Sequence, residues 1–127
     1  MFTTDGAYSG MAVEDLDAAR AFYADTLGLE VEVLGDMGGF LVLHLASGGR
    51  VLIYGKPHHE PAGFTVLNFP VADVEAAVDD LNARGVVTKI YDDAEFPTDS
   101  KGIMREGGPL IAWFRDPAGN VLAVLEQ

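Results

Sequence analysis

Histidine and cysteine, two residue types that often carry acid–base, nucleophilic or metal chemistry, are rare or absent in this chain. It has three histidines, His44, His58 and His59, and no cysteine, so the sequence excludes disulfides, thiolate zinc sites and cysteine nucleophiles. The run His58-His59-Glu60 brings imidazole and carboxylate together, but adjacent side chains seldom converge on one ion, and the run lies between two prolines. We therefore interpret it as a solvated loop. The sequence also contains no Ser-His-Asp arrangement and no Walker-type phosphate loop.

Trp113, the only tryptophan, is the strongest candidate for a binding role. Residues 109–115 and 120–126 are predicted to be strands joined by Asp-Pro-Ala-Gly-Asn, a tight turn with a bulge. Such a turn pairs Asp116 with Asn120 and therefore places Trp113 opposite Ala123. A large ring beside a small residue forms a wall with space next to it, which suits a planar ligand. The alternative is that Trp113 only fills the core.

A second set of candidates lies on the first strand of each half of the chain. In the predicted strand 64–71, Phe64, Val66 and Asn68 alternate on one face, and the residues between them should pack under a helix. Asn68 could orient a ligand or could be a hydrogen-bonded structural residue. Tyr8 could likewise offer its hydroxyl to a ligand or belong to the core.

The elements that must position these residues follow from periodicity and turn signals. Asp15 and Asp73 are predicted helix N-caps, and Gly28 and Gly85 are predicted to end the two helices in the left-handed conformation. Strands are predicted at 7–13, 29–35, 39–46, 50–55, 64–71, 86–91, 109–115 and 120–126, with breaks at Gly38-Gly39 and Gly48-Gly49 and a connector at 55–63.

An internal repeat relates the two halves. Residues 13–19 (Val-Glu-Asp-Leu-Asp-Ala-Ala) return as residues 71–77 (Val-Ala-Asp-Val-Glu-Ala-Ala), and residues 49–52 return as residues 119–122. The offsets are 58 and 70 positions. The repeat predicts one α+β domain over 1–127, made of two βαβββ modules at about 5–56 and 63–127. Together the modules should form a curved eight-stranded mixed sheet, a cup with the helices on its outer face.

The repeat also assigns residues of the first half to the cup. By the offset of 70, Leu43 should lie opposite Ile53, as Trp113 lies opposite Ala123. His44 would then lie on the other face of the sheet, as a satisfied or partly exposed histidine.

The longest predicted loop, 92–108, is a candidate lid. Loops of this length are often binding elements. It carries Phe96, Lys101, Ile103, Met104 and Arg105 among acids and glycines, and the alternative is a plain mobile loop. Arg105 could meet an anionic ligand group, although a surface charge is the simpler interpretation.

Composition limits the partners. The net charge is −12, which repels phosphate backbones, so nucleic acid is not an expected partner, whereas a cationic ligand would be favoured. The charge could also serve solubility alone. The 49% of apolar residues include no run that could span a bilayer, and residues 1–6 lack the regions of a secretory signal. A cytoplasmic location without membrane association is therefore expected.

The chain resembles the vicinal oxygen chelate superfamily, which includes glyoxalase I, extradiol dioxygenases and bleomycin-binding proteins. The resemblance covers nearly the whole chain. It is carried by residues 13–16, 22–23, 27–28 and 71–74 and by the turn 116–120. It implies a fold of paired βαβββ modules, and proteins that look like this are commonly homodimers.

The resemblance also implies where a metal would be held. Metal-binding members place one ligand on the first strand and one on the last strand of each module, which correspond to Tyr8, Ile53, Val66 and Ala123 in this chain. Three of these side chains donate nothing, and a neutral phenol is a poor ligand. The departure implies the metal-free branch, with no metal and no cofactor.

These observations give one functional hypothesis and one alternative. The hypothesis is a metal-independent protein that binds and sequesters a hydrophobic, planar or cationic natural product or antibiotic. The alternative is a lyase or isomerase of the same superfamily, metal-dependent only if the ligand positions are misassigned. No catalytic residue is assigned. The expected ligand-binding residues are Tyr8, Leu43, Ile53, Phe64, Val66, Asn68, Met104, Trp113 and Ala123.

Overall fold

A computed structural model of the chain describes residues 1–35, 39–92 and 94–127. Part of the predicted Gly38-Gly39 break and one residue of the predicted 92–108 loop lie outside these ranges. The elements of the first half are β1 (Ser9–Val13), α1 (Leu16–Arg20) continued by a π-helical segment (Ala21–Thr26), β2 (Glu30–Leu34), β3 (Phe40–His44) and β4 (Arg50–Gly55). Those of the second half are β5 (Thr65–Val71), α2 (Val74–Ala83), β6 (Ile103–Met104), β7 (Ile111–Arg115) and β8 (Val121–Glu126).

The two helices begin in the same way. Asp15 and Asp73 have extended backbones, and each accepts a hydrogen bond at Oδ1 from the backbone N–H three residues later, at 3.1 Å. This bond satisfies one of the N–H groups that a helix start leaves without a partner. Gly28 and Gly85, at φ of 75° and 85°, follow the helices. The predicted caps and terminating glycines are confirmed.

The chain has two compact units, residues 1–60 and 61–127. Each contains a four-stranded mixed sheet, with strand order β1-β4-β3-β2 in the first unit and β5-β8-β7-β6 in the second. The first and last strands of each unit pair in parallel and the remaining pairs are antiparallel. The predicted α+β class and the βαβββ order of each half are confirmed. Among the described residues, no helix has the length and apolar character needed to cross a membrane.

Each sheet has a face packed against its helix, the helix face, and an opposite far face. In the first unit, a Cβ built on Gly55 would lie 3.5 Å from Leu16 of α1, and the Tyr23 hydroxyl lies 4.0 Å from the sulfur of Met11. In the second unit, Glu126 Oε2 accepts a hydrogen bond from Val74 N at the start of α2. Because side chains alternate along a strand, these contacts assign every ladder residue to a face.

The predicted strand at 86–91 is wrong. Side-chain hydrogen bonds, not a strand ladder, hold residues 86–91 in place. Asn82 Nδ2 donates to Val86 O at 2.9 Å, and the buried Thr88 hydroxyl donates to Lys101 O at 2.6 Å. Gly102 lies so close to Thr88 that an added Cβ would be 1.8 Å from the Thr88 carbonyl oxygen. The edge strand of the second sheet is instead the two-residue β6. This strand lies inside the stretch that the sequence predicted to be a loop.

A five-residue turn recurs at three places in the part of the chain that the structure describes. Its first residue accepts from the N–H of its fourth, a glycine at positive φ, and donates to the carbonyl of its fifth. The three copies are 45–49, 99–103 and 116–120, with glycines at 48, 102 and 119. In the two later copies the first residue is an aspartate whose Oδ1 also accepts from the N–H of the third and fifth residues.

The turn corrects the alignment of the two halves. Gly48, not Gly49, is the structural counterpart of Gly119. The strands on either side of these two turns, β3 and β4 in the first unit and β7 and β8 in the second, are therefore related by an offset of 71 instead of 70. The ladders agree, since Leu41 lies opposite Ile53 as Ala112 lies opposite Val124. A shift of one residue moves a side chain to the other face of its sheet.

Candidate ligand-binding site

Trp113 lies on the far face of the second sheet, in one row with Ala123 and Asn68. Trp113 is opposite Ala123 in the antiparallel ladder, and Ala123 is beside Asn68 in the parallel one. The predicted pairing of Trp113 with Ala123 is therefore confirmed. Ala123 is fully buried and Trp113 is 8% exposed, whereas Asn68 is exposed.

The indole N–H of Trp113 donates to the hydroxyl of Thr65 at 3.1 Å. Thr65 reaches this face because β5 has a bulge: Thr65 pairs with Val121, and Leu67 already pairs with Leu122, so Val66 is the extra residue. Sequence reasoning missed Thr65, since simple alternation assigns that position to Val66. The available signal was chemical, because a buried indole N–H needs an acceptor.

Two aromatic side chains cover Trp113. The Phe96 ring stacks on the indole with a centroid distance of 5.2 Å and an interplanar angle of 27°, and the Tyr91 ring meets it edge-on at 5.3 Å and 80°. Tyr91 and Phe96 also contact each other at 4.8 Å. The space that the sequence predicted beside Trp113 is thus occupied by this unit's own residues. Met104, Ile90 and Ile111 pack around the same cluster.

The segment that carries Phe96 is anchored on both sides of that residue. Before it, the carbonyl of Asp92 accepts from Phe96 N at 3.0 Å. After it, Lys89 Nζ donates to Thr98 O at 3.1 Å, and the turn 99–103 follows. Burial raises the pKa of the Asp99 carboxyl, but hydrogen bonds from Ile103 N, Arg105 and Lys101 N outweigh it and hold the pKa below its ordinary value.

Ion pairs join the same segment to α2. Lys101 Nζ lies 2.7 Å from Asp79 Oδ1, and Arg105 pairs with both Glu75 and Asp99. The hydrogen bond to Asp79 raises the pKa of Lys101, so this cation keeps its charge at any physiological pH. The Arg105 charge is matched by carboxylates of its own unit. This supports the simpler of its two interpretations, a surface charge instead of a ligand anchor.

The far face of the first sheet is different in character. It has a hollow of about 140 Å³ lined by Tyr8, Leu34, Val42, Arg50 and Leu52. The guanidinium of Arg50 lies 5.3 Å from the centre of the Tyr8 ring and donates to Gly6 O at 3.3 Å. Tyr8 is 59% exposed, and Phe40 and Tyr54 on the same face are 48% and 41% exposed.

Two predicted site residues of the first unit lie elsewhere. Ile53 and Leu43 are fully buried on the helix face, and Leu43 is opposite Val51, not Ile53. The offset of 70 caused both errors, since the counterparts of Ala123 and Trp113 at the true offset are Leu52 and Val42. His44 lies on the far face, where its Nε2 is 2.7 Å from Glu32 Oε1. It is partly exposed and paired, as the sequence indicated, but on the face that the sequence had assigned to Leu43.

The remaining predicted residues lie in the second unit. Phe64 precedes β5 and is 69% exposed, Val66 is the bulge residue, and Met104 packs on the Trp113 cluster. The structure thus brings together Trp113, Ala123, Asn68 and Met104. Ligand binding by any of these residues stays a prediction.

The side chains at the family's metal positions do not fit a divalent ion. At the corrected offset these positions are Tyr8, Leu52, Val66 and Ala123, which together offer one phenol. Within the described residues, no three His, Asp or Glu side chains lie close enough to hold a metal ion.

The family is decided by a profile match. Residues 7–124 match the model of the Glyoxalase/Bleomycin resistance protein/Dioxygenase superfamily. The chain belongs to this superfamily. The match spans both units, and the predicted resemblance is confirmed.

Solved structures of other proteins share the fold. TnmS3, an antibiotic binding protein from Streptomyces sp. CB03234, is 21% identical with a TM-score of 0.69, and the match covers 98% of each chain. A superfamily member from Sphaerobacter thermophilus DSM 20745 is 22% identical (TM-score 0.70; 98% of this chain, 100% of the other). A glyoxalase family protein from Enterococcus faecalis is also 22% identical (TM-score 0.70; 99% and 100%). No curated protein matches the sequence significantly.

Proposed function

We propose that this superfamily member is a metal-independent binding protein that sequesters a hydrophobic, planar or cationic small molecule. The observation that carries the proposal is the Trp113 cluster, where the only tryptophan lies beside Ala123 among aromatic and aliphatic side chains. Such a surface stabilises a bound aromatic group by burial and stacking.

The polar groups around the cluster supply orientation. Asn68, in the same row and exposed, can both donate and accept hydrogen bonds to a ligand. The net charge of −12 raises the local concentration of a cation and so favours a cationic ligand. Binding in this form is stoichiometric, since it needs no proton transfer and no metal.

The description of one similar protein and the name of the superfamily support the proposal. TnmS3, which shares the fold over nearly the whole chain, is an antibiotic binding protein. The superfamily's name includes bleomycin resistance as well as glyoxalase and dioxygenase activity. The side chains at the metal positions, three hydrocarbons and one phenol, favour the binding branch over the two enzymatic ones.

A thermal-shift screen with intrinsic fluorescence tests the proposal. A ligand at 100 times its Kd stabilises the folded state by roughly 2.7 kcal/mol, and bleomycins with a panel of polycyclic drugs are the first compounds to try. Because the chain has a single tryptophan, quenching or a spectral shift on binding reports on Trp113 directly. A flat thermal response and unchanged fluorescence across the panel would contradict the proposal.

Metal independence has its own measurement. We expect protein purified without chelator to contain well under one equivalent of Ni, Zn, Fe or Mn, and ligand binding to survive dialysis against EDTA. One tightly held equivalent, lost together with binding, would instead favour a metal-dependent lyase or isomerase of the same superfamily.

We also propose that the protein is a cytoplasmic homodimer, since proteins that look like it are commonly homodimers. The exposed Tyr8, Phe40 and Tyr54 on the first unit's far face support an association, because they form apolar surface that a partner or ligand would cover. Sedimentation equilibrium measures the mass in solution, and a monomer at all concentrations would contradict the dimer.

A further inference from the structure

We propose that the Phe96 ring is a displaceable cover on Trp113, and that a planar aromatic group of the ligand stacks on the indole in its place. The inference rests on the proposed function and deepens it, because it names the surface that receives the ligand and the residue that competes for it.

The two rings on Trp113 differ in how they contact it. Phe96 is close to parallel with the indole, at 27°, and is 39% exposed, so it occupies the ring face from the solvent side. Tyr91 is half-buried and meets the indole edge-on at 80°, so it forms a side wall. A planar ligand that replaced Phe96 would have the indole beneath it and the Tyr91 ring beside it.

The segment's anchors lie to either side of Phe96 and not on its ring. Asp92 Oδ1 accepts from Glu95 N at 2.9 Å, which holds the chain before Phe96. The Lys89–Thr98 hydrogen bond and the Lys101–Asp79 ion pair hold it afterwards. A change of the Phe96 side-chain rotamer can therefore uncover the indole while the segment stays attached.

Competition between Phe96 and the ligand lowers the apparent affinity of the intact protein. Stacked aromatic pairs are stabilised enough that removing the competing ring should tighten binding by roughly 2- to 12-fold. A ring that belongs only to the hydrophobic core predicts the opposite result, since its loss would loosen the cluster and weaken any binding there.

The test compares Phe96→Ala and Phe96→Leu with the intact protein and with Phe2→Ala, which removes the same ring from a position that is 92% exposed. Acrylamide quenching of Trp113 fluorescence measures access to the indole without any ligand. Titration with proflavine, a planar tricyclic cation, measures binding by fluorescence anisotropy. We expect Phe96→Ala to increase both the quenching constant and the proflavine affinity, Phe96→Leu to lie between, and Phe2→Ala to match the intact protein.

The other outcomes overturn the inference. An unchanged quenching constant would mean that Phe96 does not cover Trp113, and an unchanged or weaker proflavine affinity in both folded Phe96 variants would mean that it does not compete. Failure of every variant to bind proflavine also overturns the inference, whereas the proposed function would still stand or fall on the drug panel. If Phe96→Ala does not fold, Phe96→Leu decides by the same criteria.

Discussion

The two units have the same order of elements, but the aromatic side chains on the far faces of their sheets differ in exposure. In the first unit, Tyr8, Phe40 and Tyr54 remain 41–59% exposed, and Tyr8 lines a hollow on this face. In the second, the equivalent face carries Trp113 at 8% exposure beneath Phe96 and Tyr91. The duplicated modules have thus kept their strand order and differ in the side chains that cover the far face.

The difference comes from the chain between the helix and the third strand. In the first unit it forms β2, which pairs with β3 over five residues. In the second unit, of the residues described between α2 and β7, Ile103 and Met104 alone pair with β7, and Tyr91 and Phe96 before them pack over the far face. The same stretch of chain can extend the sheet or cover it. A segment used for one purpose is not available for the other, because a strand lies beside its neighbour in the plane of the sheet, about 4.8 Å away, whereas a segment that covers the sheet lies across its face.

The largest expected effect comes from Gly102 in the segment that carries Phe96 (residues 94–103), here called the covering segment, because this glycine lets the segment approach Thr88 closely. In Gly102→Ala, the new Cβ would meet the Thr88 carbonyl at 1.8 Å, at a φ of +87°, so we expect a loss of about 3–5 kcal/mol in the free energy of unfolding. The matched change in the first unit is Gly48→Ala, at φ +95° with nothing within 4 Å, and should lose only about 1–2 kcal/mol. Urea unfolding measures both, and equal losses would contradict the close approach.

The next effect distinguishes the hairpin turns of the two units. Buried Asp116 accepts from Ala118 N, Asn120 N and Asn120 Nδ2, so Asp116→Ala should lose about 2–3 kcal/mol by leaving donors unsatisfied. In the first unit's turn, exposed Ser47 makes one long bond of 3.3 Å to Gly49 N, and Ser47→Ala should change stability by about 0.5 kcal/mol or less. Comparable losses for the two variants in urea unfolding would mean that burial does not set the cost.

A smaller effect concerns the acceptor for the indole. Thr65→Val keeps the shape but removes the hydroxyl that accepts from Trp113, so we expect a loss of about 1–2 kcal/mol and a shifted tryptophan emission spectrum. The control is Ser9→Ala, at an exposed position on the first strand of the other unit. It should leave both the free energy of unfolding and the tryptophan emission spectrum unchanged. An unaltered emission spectrum in Thr65→Val would show that the hydrogen bond does not form in solution.

The smallest effect is a pH dependence confined to the covering segment. The pKa of Asp99 is held below its ordinary 3.8, so its contribution to stability is complete above that value and is lost as the pH falls through the lowered pKa. Acrylamide quenching of Trp113 should therefore increase at the acid end of a titration from about pH 6 to about pH 3. Asp99→Asn, which cannot titrate, should remove this step. Identical titration curves for the two proteins would contradict the role of Asp99.

Part of the covering segment was readable from the sequence. Asp99-Ser-Lys-Gly-Ile has the same aspartate and glycine spacing as Asp116-Pro-Ala-Gly-Asn, which was predicted to be a turn, and both form the same hydrogen bonds. The stacking of Phe96 on Trp113 was not readable, because it joins residues of a segment without regular structure to a strand 17 positions away.

The sequence by itself determined the elements whose signals are local: the two capped helices, the βαβββ order of each half, the bulged hairpin and the pairing of Trp113 with Ala123. Which face each side chain lies on was decided only by the tertiary structure, as Ile53, Leu43 and Thr65 illustrate. A cap or a turn is set by a few neighbouring residues, so its pattern survives in one stretch of sequence. Sheet faces depend on ladder register, where one misaligned glycine or one bulge inverts every assignment along the strand.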